Sequence, residues 1–183
     1  MSLQKVNSAE MTAVQAGRIS TLNGHAKSGL ATGSEWRVFS NIVTVETTDA
    51  PDFVDVTDQV LALVEQSGVK NGHVLIYSAH TTCSVIINES EPLLLKDMEH
   101  FLERSAPKDA YYGHNDFAIR TVSMRPNECP NGHAHCQHMI LGTSETVPVI
   151  DGKALLGEFQ RIFVVELDEP KPRNIAVQVS GLS

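Results

Sequence analysis

The chain is short of cysteine, of basic charge and of long apolar runs. Its three cysteines, Cys83, Cys129 and Cys136, form no C-x-x-C pair and no even-numbered framework. That excludes a disulfide-stapled scaffold and points to a reducing compartment. Lys and Arg number 14 against 22 Asp and Glu, a net charge of −8. Nucleic acids and anionic membrane surfaces are met by basic footprints, so neither is expected as a partner. No window approaches the roughly 18 consecutive apolar residues of a membrane-spanning helix. Residues 1–34 lack the apolar stretch of a secretory leader. They carry a single acid, Glu10, a bias shared with organelle-targeting segments; cytoplasm is the simpler reading. Also missing are G-x-x-x-x-G-K-[ST], H-E-x-x-H and G-x-S-x-G, so a nucleotide P-loop, a zincin helix and a hydrolase nucleophile elbow are unsupported.

What is present suits one globular domain. Apolar residues make up 42% of 183 and charged residues 20%, enough for a core without staples. The length is small for a (β/α)8 barrel of about 250 residues. Residues 1–34, rich in Ser, Thr, Gly and Ala, read as a flexible or strapping tail, and 35–183 as the packed domain. Strands are expected at 36–47, 73–79, 83–87, 145–150, 160–167 and 174–179. Helices are expected at 53–68, capped by Asp55 or Thr57 and by Gly68, at 91–105 with Pro92 in the first turn, and at 134–141. Asp151-Gly152 signals a hairpin turn. The stretch from Ala106 to Pro130 is long for a connection, so it is functional or holds a short strand. The pattern is a single compact α+β domain, with a mostly antiparallel or mixed sheet and two or three helices.

Four polar clusters carry candidate chemistry. His80-Thr81-Thr82 lies between two strand-like runs, the second ending in Asn88-Glu89. An imidazole, an amide and a carboxylate suit a hydrated metal or proton transfer; a polar turn with Glu89 at a helix N-terminus is the alternative. In Asn131–His138, His133 and His135 share a face on a strand, whereas His135 and His138 are neighbours on a helix. Either arrangement offers two imidazoles to one ion, with Cys129 and Cys136 nearby, and a plain polar helix start also fits. His114 stands beside Asn115 and Asp116, as a ligand, a general base or a satisfied turn. Gly142-Thr143-Ser144 offers N–H groups and a hydroxyl to an anion, or simply ends a helix. His25, His73 and His100 read as tail, turn and solvent-facing helix positions.

Taken together, His80-Thr81-Thr82, Ile87-Asn88-Glu89, His114, Ala134-His135, Leu141-Gly142-Thr143-Ser144, Val147-Pro148-Val149 and Leu155–Gln160 resemble the YjbQ family, also called the secondary thiamine-phosphate synthase family. The likeness covers roughly residues 35–181 and departs at Phe159-Gln160, where the family has Trp-Gln. It implies a compact α+β fold, a homotrimer, and a site gathering His80, Asn88, Glu89, His114, His135 and Ser144 around a metal ion or small anion. It also implies weak thiamine-phosphate synthase activity in some members, joining a pyrimidine pyrophosphate to a thiazole phosphate. The resulting expectation is a metal-dependent enzyme acting on a small, phosphorylated substrate. His80, His114 and His135 would hold a divalent ion such as zinc, Glu89 would act as acid/base or as an additional ligand, and Asn88 and Ser144 would orient the substrate. A non-catalytic metal- or metabolite-binding protein is the alternative. Displacing pyrophosphate calls for Mg²⁺ on carboxylates and for Lys or Arg on the phosphates. A cluster rich in histidine suits a transition metal and an activated water instead.

Overall fold

A computed structural model describes residues 33–183; the tail assigned to 1–34 lies, but for its last two residues, outside them, and so does His25. The strands are β1 Trp36–Val45, β2 Asp52–Asp55, β3 Asn71–Ser78, β4 Cys83–Glu89, β5 Ser144–Ile150, β6 Lys153–Ala154, β7 Gln160–Glu166 and β8 Arg173–Leu182. The helices are α1 Thr57–Ser67, α2 Pro92–Ser105 and α3 Gly132–Leu141, with a short 3-10 turn at Gly113–Asn115. The strands form two antiparallel sheets, ordered β1-β8-β3-β5-β6 and β2-β7-β4. This is the expected α+β fold. No helix among the described residues is long and apolar enough to cross a membrane.

Alternation explains the layering. In β3, Val74, Ile76 and Ser78 are buried while Tyr77 is exposed, so only one face of the larger sheet meets the core. Strand β7 is buried from Ile162 to Glu166 without a break. Ile162 and Val164 join the valines of the larger sheet and Val60 and Val64 of α1. Phe163 and Val165 point the other way, to Leu102 of α2 and Ala134 of α3. The smaller sheet is thus sandwiched between the larger sheet and two helices.

The helix expected at 53–68 starts later. Phe53 pairs with Val165 in β2, and its ring meets Phe163 edge-on at 6.4 Å. The Asp55 carboxylate then accepts from the Thr57 amide at 2.9 Å and its hydroxyl at 2.6 Å, turning the chain into α1. Gly68 ends α1 with φ of +70°, as expected. Glu91 caps α2 by accepting from the amides of Leu93 and Leu94. The Asp151-Gly152 turn closes a hairpin, but with the two-residue β6 rather than with β7. His73 lies within β3, its Nε2 3.1 Å from the Ser180 hydroxyl, and is not a turn residue. The stretch between α2 and α3 contains the 3-10 turn and no strand.

Candidate functional site

That stretch walls a polar cleft of about 450 Å³. The other walls are Thr81-Thr82 ahead of β4, Asn131 and His135 at the start of α3, and the β7–β8 connection with Asp168, Glu169 and Lys171. Below lies a buried ion pair. Glu166 (0% exposed) and Arg173 (5%) bind each other side-on, and Arg173 Nη2 donates to Thr82 Oγ1 at 3.0 Å.

Two of the expected histidines meet in this cleft. His114 sits in the 3-10 turn and His135 in the first turn of α3. Their ring centroids are 4.7 Å apart, with planes at 67°. His114 Nε2 is buried and has no hydrogen-bond partner. Arg120 holds the surrounding loop: it donates to the carbonyls of His114 (3.2 Å), Val122 (3.4 Å) and Ser123 (3.0 Å) and pairs with Glu128 at 3.0 Å. Opposite, Asp168 accepts from Lys171 Nζ at 2.8 Å, Asn131 Nδ2 at 3.3 Å and the Cys129 thiol at 3.6 Å. Burial, and then the charges of Asp168 and Glu169, push the Cys129 thiol up, so it stays protonated and acts as a donor. Burial opposes ionisation of Asp168, yet Lys171 and Asn131 outweigh it and hold the carboxyl below its ordinary value.

The remaining expected residues lie elsewhere in the chain. His80 does not line the cleft; its Nε2 accepts the Asn174 amide at 3.4 Å. Asn88 and Glu89 are exposed at the far end of β4, five and six residues beyond Cys83; an extended strand puts that end about 20 Å away. Ser144 opens β5 opposite Tyr77 and is exposed. Among the described residues, the one set of three or more His, Cys, Asp or Glu donor atoms lying within 4.8 Å of one another is Cys129, Asp168 and Glu169. His80, His114 and His135 make no such set within one chain. Sequence reasoning overlooked Asp168, Lys171 and Arg173. Their signal in the sequence was only the density of charge between Glu166 and Arg173, which suits a solvated connection equally well.

Burial holds His80, His133, His135 and His138 below the ordinary histidine value of 6.5; Arg173 adds to this at His80, Lys108 at His133 and His114 at His135. Below 6.5 the unfolded chain therefore binds more protons than the native one, so this stability is present above that pH and lost as pH falls. We expect the urea midpoint of chelator-treated protein to be level near pH 7.5 and to fall steadily towards about pH 5. A level midpoint throughout would contradict the burial of these rings.

The comparisons agree with this architecture. The family model described as UPF0047 protein YjbQ-like matches residues 41–182. A UPF0047 protein of Methanothermobacter thermautotrophicus is 40% identical over 144 residues, covering 79% of this chain and 93% of that one. UPF0047 protein YugU of Bacillus subtilis is 29% identical, covering 75% and 96%. A crystal structure of a YbjQ-like protein of unknown function from Sulfolobus solfataricus superposes with a TM-score of 0.72 at 35% identity, covering 80% of this chain and 99% of that one. A hypothetical protein from Aeropyrum pernix gives 0.69 at 31% identity, covering 78% and 98%. On this sequence match and this shared fold, the chain belongs to the YjbQ-like UPF0047 family.

Proposed function

We propose that the cleft binds a divalent ion at the His114–His135 pair together with a small phosphorylated molecule, and that the protein transforms that molecule. The observation that carries this reading is His114 Nε2, a buried nitrogen without a partner in a ring that lines the cleft. Leaving such an atom unsatisfied costs about 1–3 kcal/mol, and a metal removes that cost. Two imidazoles with a thiol and carboxylates near them fit a borderline ion such as zinc. The ion would supply positive charge and polarise a bound oxygen.

The chain's own groups set the rest. Arg120, Arg125 and Lys171 face Glu128, Asp168 and Glu169 around the cleft, so the lining charges cancel. Arg120 and Lys171 already hold carboxylates, which leaves Arg125 for a phosphate. That balance favours a substrate with one phosphate over the pyrophosphate and phosphate together of a thiamine-phosphate synthase reaction, which we assign as a side activity. His135, kept neutral by burial, offers a lone pair to the ion. Asn88, Glu89 and Ser144 would serve a cleft only from a neighbouring copy. The homotrimer implied by the family likeness gives that route, and the exposed Trp36, Val38 and Ile42 on β1 suit such packing. Non-catalytic retention of the ion or metabolite is favoured by one observation: Glu128 and Asp168 are both already engaged by cations.

Plasma mass spectrometry of untagged protein, before and after reloading with zinc, tests the reading. Near-stoichiometric metal is expected, lost in His114→Ala and His135→Ala while both variants stay folded. A parent protein that holds no metal after reloading sinks the proposal.

A further inference from the structure

Helix α3 begins without a cap of its own. Asn131, in the capping position, makes no side-chain bond to the first turn, and the opening amides of a helix need acceptors. One acceptor comes from 17 residues upstream: Asn115 Oδ1 takes the Gly132 N–H at 2.8 Å. Asn115 is the residue after His114, in the same 3-10 turn, which the Asn115 amide closes on Tyr112 O at 2.9 Å. The same spot is packed tightly. A Cβ on Gly132 would lie 2.6 Å from Tyr112 Cβ and 3.1 Å from Asn115 Oδ1, so the turn and the helix start meet backbone to side chain with no room for another atom.

We infer that Asn115 is a positioning residue: by capping α3 from the His114 turn, it sets the edge-to-face contact between His114 and His135. Both histidines are fixed to the two ends of this single bond, His114 one residue before its acceptor and His135 three residues after its donor. Without it, the turn keeps Arg120 on the His114 carbonyl but loses its tie to α3. This rests on the proposed function only for its consequence in metal binding; the ring geometry stands apart from it.

The experiment compares Asn115→Ala and Asn115→Asp with the parent. Aspartate keeps an acceptor for the Gly132 amide. The first readout is carbon-edited NMR of the imidazole protons in chelator-treated protein, with all three proteins held at one pH. An edge-to-face contact moves the edge protons upfield through the partner ring current. We expect that displacement in the parent, its loss in Asn115→Ala, and its return in Asn115→Asp. The second readout is cobalt(II) titration followed by visible absorption. Asn115→Ala is expected to bind about 10- to 100-fold more weakly, the usual cost of losing a support behind a ligand, with Asn115→Asp near the parent. Thermal melts establish that each variant is folded. An unchanged ring-current displacement in folded Asn115→Ala overturns the inference, and so does its absence in folded Asn115→Asp. A parent that binds no cobalt overturns the metal reading of the cleft, while the NMR readout still decides the role of Asn115.

Discussion

Glu166→Ala is expected to lose about 3–5 kcal/mol of unfolding free energy, the usual result of stripping one partner from a buried ion pair. Arg173 would be left charged and almost wholly enclosed, with Thr82 as its remaining side-chain partner. Burial pulls the guanidinium down, but the Glu166 carboxylate outweighs it and holds the group firmly protonated. It cannot escape the loss of Glu166 by neutralising itself. Glu166 Oε1 also accepts from the amides of Leu167 and Asp168 at 3.1 and 2.9 Å, so the start of the β7–β8 connection loosens too. Urea unfolding reads the loss. A joint Glu166→Leu, Arg173→Met variant should recover part of it, because removing both charges also removes the desolvation they impose. A single variant within about 1 kcal/mol of the parent would mean that water reaches the pair.

The second large effect belongs to a glycine crossing. Gly72 of β3 and Gly181 of β8 face each other in register. A Cβ on Gly181 would lie 2.6 Å from Gly72 Cα and 2.8 Å from Val69 Cγ1, and closer still to the Asn71 carbonyl. Those neighbours are mostly backbone and cannot swing aside. Gly181 also has φ of +156°. Gly181→Ala is expected to cost about 2–6 kcal/mol, overpacking and backbone strain together. Gly142→Ala is the control. Its φ is +89°, yet nothing lies within 4 Å of the new Cβ, so strain acts alone at about 1–3 kcal/mol. Parallel urea melts separate the two. A Gly181 variant no less stable than the Gly142 variant would refute the close approach.

Much of this architecture is legible in the side-chain alternation. The spacing of Val74, Ile76 and Ser78 is enough to mark the buried face of β3, and Pro92 marks the opening of α2. Segment 53–68 misled because Phe53 and Val54 continue the apolar spacing of α1. What makes them a strand is pairing with β7, a partner more than 100 residues away. The site was half legible. His114 and His135 are conspicuous as residue types, and they do meet. Asn88 and Glu89 follow His80 closely in sequence, but β4 is extended and carries them away from it. Asp168 and Lys171 went unread because a carboxylate and an ammonium on a connection look like solvated charges. Only the fold shows that Asp168 is nearly buried and shared by three donors.

The pairing of β1 with β8 has a kinetic side. Trp36 stands opposite Leu182 and Val45 opposite Arg173, so the first strand of the domain waits for the last. A chain made from its N-terminus would emerge from the ribosome with Trp36, Val38 and Ile42 on a strand that has no partner until β8 is finished. Strand β3 waits as well, since β5 and β8 both come long after it. Sheets that close over such distances in sequence fold slowly and are exposed to wrong pairings while they do. For this protein the vulnerable interval is synthesis itself, and it ends when the last ten-residue strand slots between the other two.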